Sequence, residues 1–228
     1  MSCQMLVLIA AEFQDTVHTC SVLTPSQMQG VLMASFFQDV QAKFLQDLSH
    51  GSTHSDVCGA DSGLQWKGVS CKQGRVQKVH LPYSPYGNFR VHYLPGYVHS
   101  VNLAECDQSY SLDSRQLPQT LEYLQMCSNR IHGTIDLTNL PESSVNILLH
   151  QNYITGPITL TRLPQSLHSL DLSRNRIHQN TVYYSHIPKS VFRICLQRGD
   201  DSNRIDAVVA IGGGDELDDG RILAEITK

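Results

Sequence analysis

Leucine, isoleucine and valine recur along the middle of the chain with a long fixed period. Segments 117–139, 140–162 and 163–186 align on one template, with Leu-Pro openings at 117, 140 and 163. Asn129, Asn152 and Asn175 hold a common position 23 residues apart, and Ile131, Ile154 and Ile177 follow each Asn by two. Gly133 and Gly156 come four after the Asn, Ile135 and Ile158 six after. The third unit has one extra residue, so the next opening, Ile187-Pro188, arrives after 24. Leu124/Met126, Ile147/Leu149 and Leu170/Leu172 alternate with other residues, which predicts a short strand per unit with one face buried. A unit of this length cannot enclose that face alone. Neighbouring units must stack to cover it.

The pattern L-x-x-L-x-L-x-x-N-x-I is identified as that of a leucine-rich repeat. Its Asn satisfies backbone groups where the chain leaves the strand. Each such bond contributes about 1 kcal/mol net, and orphaning a buried group costs more. Degenerate units extend the array both ways. Upstream, Leu94-Pro95 opens a unit with Val98, Val101 and Leu103, and Cys106 takes the Asn position; Val76, Val79 and Leu81 precede it. Downstream, Val191, Ile194 and Leu196 fit, Gly199 replaces the Asn, and an Asn-x-Ile echo is displaced to Asn203 and Ile205. Ser144 is the one clear lapse at a first-Leu position. The expectation is an α/β solenoid of about six coils with a parallel concave sheet. Cys106, Asn129, Asn152 and Asn175 form its structural ladder.

The open end of such a stack needs a cap. Thr24-Pro25-Ser26-Gln27 reads as a helix start, with Thr24 as N-cap, Pro25 in the first turn and Gln27 closing a capping box. Met28, Leu32, Phe36, Val40, Phe44 and Leu48 recur at four-residue steps, predicting one amphipathic helix that ends near Leu48, before His50-Gly51. Its ordinary use is packing on the first coil; a Met/Phe-rich helix for binding a partner is the alternative. Beyond it, Cys58 and Cys71 flank a segment containing Trp66, Gly68 and Val69.

The W-x-G-V-x-C run from Trp66 to Cys71 resembles the amino-terminal cap of plant-type leucine-rich-repeat ectodomains. The Leu-Pro openings and G-x-I-x-L endings are similar to the leucine-rich-repeat proteins of kinetoplastid and related protists, including their surface antigens. The resemblance spans about residues 25 to 210 and implies a fold and a binding role. It also implies that Cys58 pairs with Cys71, that Trp66 packs on the first coil, and that the protein is secreted or exposed at the cell surface. A bridge over so short a loop stabilises by roughly 3 kcal/mol, and only where the medium is oxidising. The chain divides into a leader or disordered segment (1–23), a helix and cysteine-flanked cap (24–71), repeats (72–210) and a polar tail (211–228).

Composition narrows the class. The chain has 228 residues, 41% hydrophobic and 17% charged, so it is globular rather than disordered. Its net charge is -4 and no Lys/Arg block occurs, so nucleic acid is not an expected partner. The longest apolar run, Met5–Ala11, is far too short to span a membrane. That run fits both a short secretory signal and a buried segment; Glu12 and Asp15 follow it at once, and the first cationic side chain is Lys43. No N-x-[ST] sequon occurs. With seven cysteines, at least one thiol stays free whichever bridges form, and no C-x-x-C pair exists.

Catalytic chemistry has no residue set behind it. The eleven histidines are scattered; His132 and His178 share a repeat position, with Thr155 between, and read as solvated. Arg198-Gly199-Asp200 reads as an ordinary turn. Gly212-Gly213-Gly214 lacks the Lys-Ser/Thr of a phosphate loop and is followed by Asp215 and Glu216. No enzyme, metal or cofactor is expected.

Residues between the core positions of each strand point the opposite way and line the concave face. Register places Lys78, Ser100, Tyr123, Asn146, Ser169 and Arg193 in one column. A second column holds His80, Asn102, Gln125, Leu148, Asp171 and Cys195, and a third Pro82, Ala104, Cys127, His150, Ser173 and Gln197. The candidate binding face is Tyr123, Gln125, Asn146, Leu148, His150, Asp171 and Arg193, with Tyr123, Leu148 and His150 as anchor. A merely solvated sheet is the competing reading of these columns. The expected function is non-catalytic recognition of a protein, or else a glycan, outside the cell or at its surface. The alternative is a cytoplasmic leucine-rich-repeat adaptor, or a subunit of a larger assembly, with every cysteine reduced.

Overall fold

The computed structural model describes residues 23–60, 63–197, 202–211 and 222–224. Cys3, Cys20, Met5–Ala11, Arg198-Gly199-Asp200 and Gly212–Gly214 lie outside the described residues.

Thr24 caps helix α1 (Pro25–Phe36). Its hydroxyl accepts the Gln27 amide, and the Gln27 side chain accepts the Thr24 amide at 2.8 Å. The expected single helix is two, because α1 stops at Phe36 and α2 covers Ala42–Ser49. Between them, β1 (Asp39–Val40) pairs antiparallel with β4 (Gly87–Asn88). Arg90 fastens that break, donating to both Asp39 carboxylate oxygens at 2.6 and 3.0 Å and to Gln38 at 2.7 Å. A contact some 50 residues distant therefore overrides the local helical pattern. The buried face also differs from the predicted stripe: Met28 is 38% exposed, while Gln29, Gly30, Met33 and Phe36 are buried. His50, in the left-handed region, and Gly51 at positive φ end α2.

A disulfide joins Cys58 to Cys71, with Cα atoms 5.6 Å apart. Trp66 is buried beside it; its indole N–H donates to Ser52 at 2.8 Å and its ring centroid lies 5.3 Å from Phe37 and 5.0 Å from His54. Phe36 stacks on Phe89 at 5.5 Å, which ties the cap to the outer return of the first coil. These rings plug the apolar end of the stack.

Strand β2 (Val69–Lys72) runs antiparallel to β3 (Arg75–His80). From β3 onward the sheet is parallel: β5 (Ser100–Asn102), β6 (Tyr123–Gln125), β8 (Asn146–Leu148), β10 (Ser169–Asp171) and β12 (Arg193–Gln197). Six coils thus share one sheet. Their register carries Val79, Val101, Leu124, Ile147, Leu170 and Ile194 side by side, all buried. Within the expected polar tail, β14 (Ile222–Ala224) adds a further parallel strand against β12.

Short outer strands run along the opposite side of the coils: β7 (His132–Thr134) with β9 (Tyr153–Thr155), and β11 (His178–Tyr184) with β13 (Arg204–Ala210). Between β7 and β9 the pairing offset is 21 residues, not 23. His132 therefore faces Tyr153, and Thr155 bridges to Arg176, so His132, Thr155 and His178 do not stack as a column. One continuous apolar core runs from Met33 to Ile205 between the two layers.

Candidate functional site

The site is a surface supported by two ladders. Asn129 Oδ1 accepts the amides of Cys106 and Gln108, and its Nδ2 donates to Leu103 and Met126 carbonyls. Asn152 and Asn175 repeat the arrangement, accepting from Ile131 and Ile154 and donating to carbonyls of their own and the preceding coil. Asn203 continues it: Oδ1 accepts the Ile177 amide at 2.8 Å, and Nδ2 donates to Leu172 and Leu196. Cys106 fills the same place with a thiol 3.0 Å from the Leu81 carbonyl. Burial pushes the Cys106 and Cys127 thiols up, which keeps both protonated and inert. Ser84 occupies the position in the first coil, buried with its hydroxyl donating to Pro82.

A second ladder lies where each coil turns back into the sheet. The hydroxyls of Thr120, Ser143, Ser166 and Ser190 each sit between two carbonyls of the preceding coil, at 2.6 to 3.0 Å. The sequence does carry it, as the hydroxyl residue three places after each Leu or Ile of the Leu-Pro and Ile-Pro openings, but its meaning needs the geometry. Together the ladders hold each strand against its neighbour and fix what the concave columns present.

The predicted columns are in register: Lys78, Ser100, Tyr123, Asn146, Ser169 and Arg193 pair in sequence, and so do His80, Asn102, Gln125, Leu148, Asp171 and Cys195. Their accessibility changes along the stack. Tyr123 is 41% exposed, and Gln125, Asn146, Leu148 and His150 are half-buried. Asp171 is only 7% exposed and Cys195 is buried, while Arg193 is half-buried. Asp171 accepts the Ser173 hydroxyl at 2.6 Å and its amide at 3.0 Å, with His150 Nδ1 3.8 Å from the other oxygen. The open part of the face therefore belongs to the first four coils.

A depression of about 220 Å³ lies there, lined by His80, Ser100, Asn102, Tyr123, Gln125, Asn146 and Leu148 over the backs of Val101 and Leu124. Ser100 is the small residue that makes the dip, and its hydroxyl lies 2.8 Å from His80 Nε2. Burial, then the nearby Lys78 and His99, push the His80 imidazole down, so it is neutral at pH 7. Asn146 Oδ1, His150 Nδ1 and Arg193 Nε are covered and have no hydrogen-bond partner among the described residues. Reasoning from the columns found these side chains; it did not find that the dip lies toward the amino-terminal half, which follows from Ser100 lying beside Tyr123.

No protein-family model and no curated protein matches the chain. Solved structures do. A pollen receptor kinase 3 structure matches with TM-score 0.56 and 15% identity, over 85% of this chain and 95% of that one. The leucine-rich-repeat ectodomain of the receptor kinase SOBIR1 from Arabidopsis thaliana matches with TM-score 0.52 and 16% identity, over 75% and 99%. The fold is a leucine-rich-repeat solenoid. Among the described residues of this solenoid, no group of three or more His, Cys, Asp or Glu is placed to hold a metal ion, and no helix is long and apolar enough to cross a membrane.

Proposed function

We propose that this leucine-rich-repeat protein is a non-catalytic recognition module that binds a protein partner through its concave face. The observation that carries the reading is the open surface of the first four coils. There Tyr123 is exposed beside half-buried Gln125, Asn146, Leu148 and His150, on a sheet whose own backbone bonds are consumed internally. Binding hot spots have this make-up, a few large side chains surrounded by polar ones. Solenoids use the same curved face for extended contacts. Arg193 and Asp171 border the face on its carboxy-terminal side.

The setting we infer is extracellular or at the cell surface. The Cys58–Cys71 disulfide supports it, since such bonds persist in oxidising compartments. So does the likeness in fold to the leucine-rich-repeat ectodomain of a receptor kinase. With a partner isolated, titrating it against Tyr123→Ala, His150→Ala and the convex Arg162→Ala tests the reading. Binding lost with the first two and kept with the third is expected. Loss with Arg162→Ala alone overturns it.

A further inference from the structure

The concave depression differs in chemistry from the rest of the face. None of its lining side chains carries a formal charge at pH 7, since His80 is held neutral and the remainder are Ser, Asn, Gln, Tyr and aliphatic groups. Lys78 and Asp171 lie outside it, and Asp171 is engaged by Ser173. An anionic ligand thus finds no guanidinium or ammonium in the dip, and a cationic one no carboxylate. A peptide main chain finds no unpaired strand edge, because β5, β6 and β8 bond on both sides.

What the dip offers is an exposed aromatic ring flanked by three carboxamides. Asn102 spends its Oδ1 on the Ala104 amide at 3.1 Å and keeps its Nδ2 donors. Gln125 directs Nε2 toward Cys127 Sγ at 3.8 Å, a weak contact that leaves Oε1 as an acceptor. Asn146 Oδ1 is covered and has no partner, and the broad, soft torsion of its carboxamide must turn it outward to meet a bound donor. Donors and acceptors therefore alternate around one aromatic face. The volume is below the roughly 300–1,000 Å³ of clefts that hold drug-sized molecules, and suits one ring.

We propose that this depression binds one ring of a neutral oligosaccharide, its C–H face packed on Tyr123 and its hydroxyls bonded to Asn102, Gln125 and Asn146. The inference rests on the concave-face reading above and names a ligand class for its amino-terminal half. Ser100 sets the room for the ring, and His80 holds Ser100 in place.

The test uses the full oxidised chain, with saturation-transfer NMR and calorimetry. The neutral probes are cellotetraose, mannotetraose and N,N′,N″,N‴-tetraacetylchitotetraose; the charged ones are tetragalacturonate and a heparin tetrasaccharide. At least one neutral probe is expected to bind, and neither charged one. Tyr123→Ala should weaken that binding by about tenfold or more, as for a hot-spot aromatic. Ser100→Phe should abolish it by filling the dip, and Arg162→Ala should leave it unchanged. Should Ser100→Phe fail to fold, Asn146→Asp keeps the shape, adds a charge and should weaken binding likewise. Failure of every neutral probe, equal or better binding of the charged ones, or binding indifferent to Tyr123→Ala overturns the proposal. If no oligosaccharide binds while a protein partner is lost with Tyr123→Ala and His150→Ala, the sugar site falls and the recognition reading stands.

Discussion

Asn203 accepts the backbone amide of Ile177 across 26 residues, whereas Asn152 and Asn175 each reach back 21, to Ile131 and Ile154. The rung closes at 2.8 Å in spite of the longer connection. What defines the ladder is the set of buried backbone groups left by each turn, and the chain supplies a carboxamide there even where an insertion has broken the period.

Removing a rung from the middle should therefore cost about as much as removing the last one. Asn152→Ala leaves the Ile131 amide unpaired in the core and strips the Met126 and Leu149 carbonyls of one of their two carboxamide donors, Asn129 and Asn175 keeping the other. Asn203→Ala takes the acceptor from the Ile177 amide and a donor from the Leu196 carbonyl, while Leu172 keeps its bond from Asn175. Each is expected to lose on the order of 1–3 kcal/mol in denaturant titration. A melting temperature unmoved by Asn152→Ala would show that these bonds contribute nothing net.

Gly30 should resist the substitution that helix propensity favours. Alanine in a helix interior is better than glycine by about 1 kcal/mol. Here an added Cβ would stand 2.9 Å from the Ser55 backbone, closer than packing allows. The neighbouring Gln29 fixes the approach, its side chain accepting the Val76 amide at 2.8 Å and donating to the Gly74 carbonyl at 3.0 Å. Gly30→Ala is thus expected to destabilise by about 1–3 kcal/mol, the usual range for overpacking. Thermal melts of the variant would settle it, and a gain in stability would mean that α1 docks more loosely than these distances imply.

These two cases mark what sequence reading reaches. Strand registers follow from a period of two within a period of 23, so the columns through Tyr123 and Leu148 could be read directly. The break of the cap helix could not, because Asp39 and Val40 leave the helix for Gly87 and Asn88, and no local pattern announces a partner so distant. Burial of Gln29 in place of Met28 has the same origin. A polar side chain that completes a hairpin's backbone bonds outranks an apolar one with no surface to meet. The outer register was misjudged because the repeat length sets which residues are equivalent, not which ones hydrogen bonding brings abreast.

The cap disulfide predicts a redox-dependent stability. The 13-residue separation of Cys58 and Cys71 corresponds to roughly 3 kcal/mol of loop-closure stabilisation. Mass spectrometry after alkylation of unfolded, non-reduced protein should find those two cysteines unmodified. Reduction, or Cys58→Ala with Cys71→Ala, should lower the denaturation midpoint by a matching amount. All seven thiols alkylating without reductant would remove the extracellular assignment and favour the adaptor reading.

Acid should loosen the outer turns through Asp136. The Thr138 hydroxyl donates to its carboxylate at 2.6 Å, followed in effect by the Asn139 amide at 2.6 Å. With lesser help from the Thr138 backbone and Arg115, these bonds hold the pKa down to about 2. The folded pKa lies below the unfolded value of about 3.9, so the unfolded chain takes up the proton first. The contribution is then complete above about pH 4 and fades as pH falls toward 2. Asp136 is partly exposed, so solvent screening keeps the energy small. Asp136→Asn should lower the melting temperature slightly at pH 6. The difference from wild type should shrink steadily between pH 4 and pH 2, because protonation of the native aspartate removes what the substitution has already taken away. Were the gap to stay constant over that range, the carboxylate charge would not be what holds the turn.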